Sequence, residues 1–85
     1  MVSIIIPYID EHDYLKDALA SASDQLRVDA EIILVCNAHA IPEGYNPIPK
    51  EAKDIVFVHE PRTGSAHARN AGLHAASGKW VQFLD

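Results

Sequence analysis

Chemically capable side chains recur just past the apolar runs of the chain. Asp10 and Glu11 follow "VSIIIPY", Asn37 closes "EIILVCN", "TGSAHARN" opens a new segment, and Asp85 follows "WVQFL". Asp10 or Asp13 can cap the helix that follows. Glu11 lies nearer a cleft and can accept a hydrogen bond from a ligand. Asn37 is either a turn residue or, because its carboxamide both donates and accepts, a reader of a base edge. Cys36 reads as a small buried hydrophobe, since no basic neighbour in sequence lowers its pKa. "TGSAHARN" joins a glycine loop to a helix start, where free backbone N–H groups can hold an anion. It is neither a phosphate-loop lysine motif nor a Gly-x-Gly-x-x-Gly fingerprint. Arg69, on the first turns of that helix, either reaches the cleft or stays with solvent or an Asp partner. The five histidines contain no pair at the i, i+4 spacing of a helical zinc site. Tyr14, Tyr45 and Trp80 read as packing residues. Asp85 is a turn residue, or a carboxylate placed where a divalent cation meets a diphosphate.

These residues need elements to hold them at one place. "VSIIIPY" and "EIILVCN" are continuous β-branched runs, the pattern of strands buried on both faces. Ile55–His59 and Trp80–Leu84 supply two further strands. From Asp13 to Gln25, Leu15, Ala18, Leu19 and Ala22 form one helical stripe. The segment 38–54 is rich in proline and reads as loop, with at most a helical turn near Lys50–Lys53. The segment 62–79 gives a second helix, with Ser65 or Thr63 as N-cap, Gly78 as its stop, and Ala68, Ala71, Gly72 and Ala75 facing inward. Strand, helix, strand, loop, strand, helix, strand predicts an α/β fold with an open, mostly parallel Rossmann-like sheet flanked by helices. Right-handed crossovers bring the strand C-termini to one edge, and ligands bind there, where strand order reverses. The segments to interrogate are therefore Pro7–Glu11, Cys36–His39, Glu60–Ser65 and Asp85.

Composition narrows the function classes. A chain of 85 residues is one small domain or part of a larger one. A net charge of −5 with scattered Lys and Arg gives no support to nucleic-acid binding. The one cysteine excludes an internal disulfide and suits a reducing compartment. "MVSIIIP" lacks the basic region and apolar length of a signal peptide.

Three segments in order resemble the N-terminal half of a family 2 glycosyltransferase. "VSIIIPYIDE" is similar to V-S-(I/V)-I-(I/V)-P-x-Y-N-E, and "EIILVCNAH" to E-I-I-(V/I)-V-D-D-G-S. "GSAHARNAGLHAASGKWVQFLD" is similar to G-x-x-x-A-R-N-x-G-(x)n-A-x-G-x-(Y/W)-(I/V)-x-F-L-D. The resemblance implies a GT-A fold that spans residues 1–85 and is interrupted at the D-x-D element. It implies transfer of a sugar from a nucleotide-diphosphosugar, commonly a UDP-sugar, to a glycan, lipid or protein acceptor hydroxyl, with inversion and a divalent metal. The donor-site residues it implies are Pro7, Tyr8, Glu11, Cys36, Asn37 and Arg69. Asp85 would hold Mg²⁺ or Mn²⁺, and the general base would come from beyond residue 85. The expected location is cytoplasmic, including the cytoplasmic face of a membrane.

Departures from the pattern are specific. Ile9 stands at the position of the stacking Tyr, with Tyr8 one place early. Cys36 and Asn37 replace both acids of the D-D pair, and Ala38 and His39 replace Gly-Ser. A degenerate, non-catalytic nucleotide-binding or scaffolding member of the family is therefore the alternative reading. A dinucleotide-binding domain is disfavoured, because no glycine-rich turn follows the first strand.

Overall fold

The computed structural model of the protein describes residues 1–10, 15–20, 29–50 and 54–84. Its elements are β1 (Val2–Tyr8), α1 (residues 15–20), β2 (Ala30–Cys36), β3 (Ile55–His59), α2 (Ser65–Ala75) and β4 (Trp80–Phe83). The four strands form one parallel sheet in the order β3-β2-β1-β4, which is the predicted class. Register runs from Val2 opposite Ala30 to Tyr8 opposite Cys36, so β1 and β2 end level with each other.

Alternation along the central strands explains their continuous apolar runs. Ile4, Ile6 and Tyr8 join Ile32, Leu34 and Cys36 on one face, under Leu15 and Ala18 of α1. Ile5, Ile33 and Val35 face the other way, under Ala68 of α2. Both faces are covered, so polar alternation has no place in β1 or β2. The small stripe of α2 lets its backbone lie against the sheet: a Cβ on Gly72 would stand 2.5 Å from Ile5 Cγ2.

Several boundaries differ from expectation. β2 begins and ends one residue early, and β4 ends at Phe83. Neither Ser65 nor Thr63 caps α2; the N-cap is Gly64, at φ 139° and ψ 141°, with no side-chain cap of its own. That backbone angle favours glycine. α2 ends at Ala75, where the Ala76 N–H bonds to the carbonyls of Gly72 and Leu73, so Gly78 is not its stop. Gly78 serves a close approach instead: a Cβ there would lie 2.8 Å from Ser3 N and 2.9 Å from the Met1 carbonyl. Trp80 is not a packing residue among the described residues; β4 pairs only with β1 at the sheet edge and leaves the indole 67% exposed.

At the N-terminal edge of the sheet, Ser3 Oγ (2.6 Å), Ser77 N–H (2.7 Å) and Ser77 Oγ (2.8 Å) all donate to Glu31 Oε2. Burial pushes the Glu31 carboxyl up, but the bonds from Ser3 and Ser77 outweigh it and hold it below its ordinary value. This staple ties β1, β2 and the α2–β4 turn together. The expected helix cap and Ala22, and the turn near Lys50–Lys53, fall in part on residues outside those described. Among the described residues, no helix is long and apolar enough to cross a membrane.

Candidate functional site

Strand order reverses beside β1. From β1 the chain moves through α1 to β2 and then β3, and α2 carries it back across the sheet to β4 on the other side of β1. The C-terminal end of β1 is therefore the topological switch point, where ligands of such sheets bind. The ladder continues past the strand ends there: Asn37 N–H donates to Tyr8 O (2.7 Å) and Glu60 N–H to Cys36 O (2.9 Å). The edge is thus a fixed rim.

Asn37 organises that rim. Its Nδ2 donates to the carbonyls of Glu60 and Arg62, both at 2.9 Å, and its Oδ1 accepts the Gly64 N–H at 2.9 Å. The side chain is buried. Both amide hydrogens are committed to the 60–64 loop, which leaves one lone pair on Oδ1 for anything else. The same loop is held from within by a fork. Arg62 Nε (3.1 Å) and backbone N–H (3.0 Å) reach Glu60 Oε2, and Arg62 Nη2 reaches Oε1 at 2.7 Å. These bonds hold the buried Glu60 carboxyl down to about 2, with the Arg62 side chain the largest cause and its backbone N–H next. The ion pair raises the Arg62 guanidinium correspondingly.

Against this loop lies a cleft of about 230 Å³. Pro7, Tyr8 and Ile9 form its β1 side, Asn37 its floor, and Thr63, Gly64, Ser65 and Ala68 its far wall. A second cleft of about 170 Å³ opens on the α1 side of the rim, where Ile9, Asp10 and Cys36 meet Ala38, Ala40, Ile41, Pro42 and Tyr45. Ile9, 54% exposed, borders both. The proline-rich loop closes the second cleft through Tyr45, whose hydroxyl meets the Tyr8 hydroxyl at 2.7 Å and whose ring packs edge-on to Phe57. Tyr8 is buried with its ring in the core, and His59 Nε2 holds the Ala38 carbonyl at 2.9 Å.

The structure thus gathers Pro7, Tyr8 and Asn37 around one cleft and Cys36 onto the next. Arg69 is exposed and lines neither; its guanidinium stands 5.4 Å above the Phe83 ring, over the strand that leads to Asp85. Glu11 and Asp85 lie outside the described residues. Among the described residues, no three His, Cys, Asp or Glu side chains come together as metal ligands. The first turn of α2 carries no acidic residue, so no side chain there opposes a bound anion. Sequence reasoning assigned nothing to Glu60 or Arg62. The available signal was a carboxylate ending β3 with an arginine two residues on, across Pro61.

The sequence model of glycosyl transferase family 2 matches residues 3–85. The glycosyltransferase TuaG of Bacillus subtilis, provisionally assigned to teichuronic acid biosynthesis, is 36% identical over 90 residues, covering 100% of this chain and 35% of TuaG. The succinoglycan biosynthesis protein ExoO of Rhizobium meliloti is 33% identical over 86 residues, covering 99% of this chain and 24% of ExoO. Glycosyltransferase GlyA of Streptococcus pneumoniae is 30% identical over 88 residues, covering 99% of this chain and 12% of GlyA. The chain thus spans about a third or less of the length of these curated relatives. No solved structure matches it significantly. The four-stranded parallel sheet is the Rossmann-like part of a GT-A fold, and the chain belongs to glycosyl transferase family 2.

Proposed function

We propose that residues 1–85 are the N-terminal, donor-binding part of an inverting hexosyltransferase that takes its sugar from a nucleotide diphosphate, UDP in the first instance, in the cytoplasm. The observation that carries this reading is the cleft at the switch point, walled by the start of α2 on one side and by β1 on the other. Pro7, Tyr8, Asn37 and Cys36 border the two clefts of that rim, and Glu11 and Arg69 complete the donor site in this reading. Asp85 would hold Mg²⁺ or Mn²⁺, which when bound stabilises charge on the departing diphosphate as a Lewis acid. No residue of this segment is assigned as the base, so residues 1–85 by themselves bind nucleotide and transfer nothing. TuaG and ExoO are named for teichuronic acid and succinoglycan biosynthesis, which favours a glycan among the acceptors.

A degenerate, non-catalytic member is the second reading. It is favoured by Cys36 and Asn37, which leave the rim without the acid pair of the family pattern. Thermal unfolding of the protein with UDP, CDP, GDP and ADP, with and without Mn²⁺ or Mg²⁺, tests the donor reading. UDP-dependent stabilisation that requires the metal is expected; no shift with any of them contradicts it. Nucleotide binding without sugar transfer by the full-length protein selects the second reading.

A further inference from the structure

We infer that Asn37 is a positioning residue, whose task is to fix the 60–64 loop and the start of α2 as the wall of the cleft rather than to select the base. The inference rests on the donor reading of the same cleft. Its basis is the engagement of one buried carboxamide, both N–H groups and one oxygen lone pair, by three backbone groups of a single loop, Glu60 O, Arg62 O and Gly64 N–H. Glu60 and Gly64 lie 23 and 27 residues away in sequence, so the side chain joins the end of β2 to a loop that the strand ladder meets only at Glu60.

The junction it holds has no side-chain cap of its own. Gly64 sits at φ 139° and caps α2 with no side chain of its own, and the oxygen that receives its N–H belongs to Asn37. The next turn begins with Ser65, and Gly64, Ser65 and Ala68 all line the cleft. Displacing Gly64 therefore displaces the wall as a unit. An acid at position 37 would still offer the Gly64 N–H an acceptor but would set a carboxylate oxygen against the carbonyls of Glu60 and Arg62, and that repulsion drives the loop, with its Gly64 N–H, away from it. Only a carboxamide serves all three. A group spent in this way touches every ligand of the cleft equally, through the wall, and discriminates among bases little.

The test compares Asn37→Asp with Gly64→Ala, using amide hydrogen exchange and titration with UDP, CDP, GDP and ADP. Gly64→Ala strains the same junction through its φ, while its Cβ finds only ordinary contact with His67 Cδ2 at 3.6 Å. It removes no group that could read a base. Both variants should speed exchange at residue 64, whose N–H donates to Asn37, and at Ala68, whose N–H donates to the Gly64 carbonyl, by about tenfold, the scale of one lost hydrogen bond. Both should weaken every nucleotide that the unaltered protein binds by a common factor of about fivefold. Loss confined to one base in Asn37→Asp overturns the inference, as does unchanged exchange at Gly64. Unchanged binding in Gly64→Ala overturns it too. Should the unaltered protein bind none of the four, the donor reading fails, and exchange alone decides: faster exchange supports the clamp and unchanged exchange refutes it.

Discussion

Gly72→Ala sets helix propensity against packing at a site where both can be sized. Alanine in place of glycine stabilises a helix interior by about 1 kcal/mol. At position 72, however, the new Cβ would stand 2.5, 3.1 and 3.3 Å from Cγ2, Cδ1 and Cγ1 of Ile5. Carbon atoms pack at about 3.5–4.0 Å, so either α2 lifts by roughly 1 Å or Ile5 leaves its rotamer. Ile5 is fully buried between β1 and α2, which leaves it no room to yield. Overpacking of this kind costs about 1–3 kcal/mol, and the net expectation is destabilisation by about 1 kcal/mol, or roughly 4–8 °C in Tm. Urea denaturation followed by far-UV circular dichroism measures it; the chain's one tryptophan, 67% exposed, is a poor reporter. Ile5→Ala alone should cost about 2–5 kcal/mol. In the Gly72→Ala background it should cost at least about 1 kcal/mol less, because the clash is then relieved. A Gly72→Ala protein more stable than the parent, or two additive effects, would refute the close-approach argument.

Two further outcomes follow from the polar staples. Ser3→Ala removes a donor to Glu31 and the acceptor of the Gly78 N–H (2.8 Å), both within a buried network. It should lower stability in urea by about 2–3 kcal/mol and leave nucleotide affinity unchanged, since it lies at the sheet edge opposite the clefts; altered affinity at constant fold would contradict that placement. Glu60 and Glu31 both have depressed pKa values, so their stabilisation is complete above the ordinary value of 4.5 and is lost as pH falls below it, for Glu60 through about 2. Glu60→Gln should flatten that acid limb of the Tm-against-pH curve, and an unchanged limb would show that the fork with Arg62 does not form in solution.

The sheet was readable in the sequence because its signal is local. Runs such as "SIIIP" and "EIILV" are apolar on consecutive residues, and only strands covered on both faces tolerate that. The alanine and glycine face of α2 was legible for the same reason. What escaped depends on partners far away in the chain. Gly64 rather than Ser65 caps α2, and the oxygen that accepts its N–H comes from Asn37, just past the end of β2. Gly78 resembled a helix stop, but its missing Cβ makes room for Ser3 and Met1. Trp80 suggested packing from its type alone, whereas exposure is set by its place on an edge strand. At the rim, Pro7, Asn37 and the 60–65 segment were selected by topology before any side chain was considered. The Glu60–Arg62 fork was not, since two residues of opposite charge on either side of a proline carry no pattern of their own.

Backbone amide chemical shifts recorded while UDP and Mn²⁺-matched diamagnetic Mg²⁺ are titrated test the central claim most directly. Saturable shifts are expected at Ile9, Asn37, Gly64, Ser65 and Ala68, with Glu31, Ser77 and Gly78 unmoved. Shifts concentrated at the Glu31 edge, or none at saturating nucleotide and metal, would contradict it.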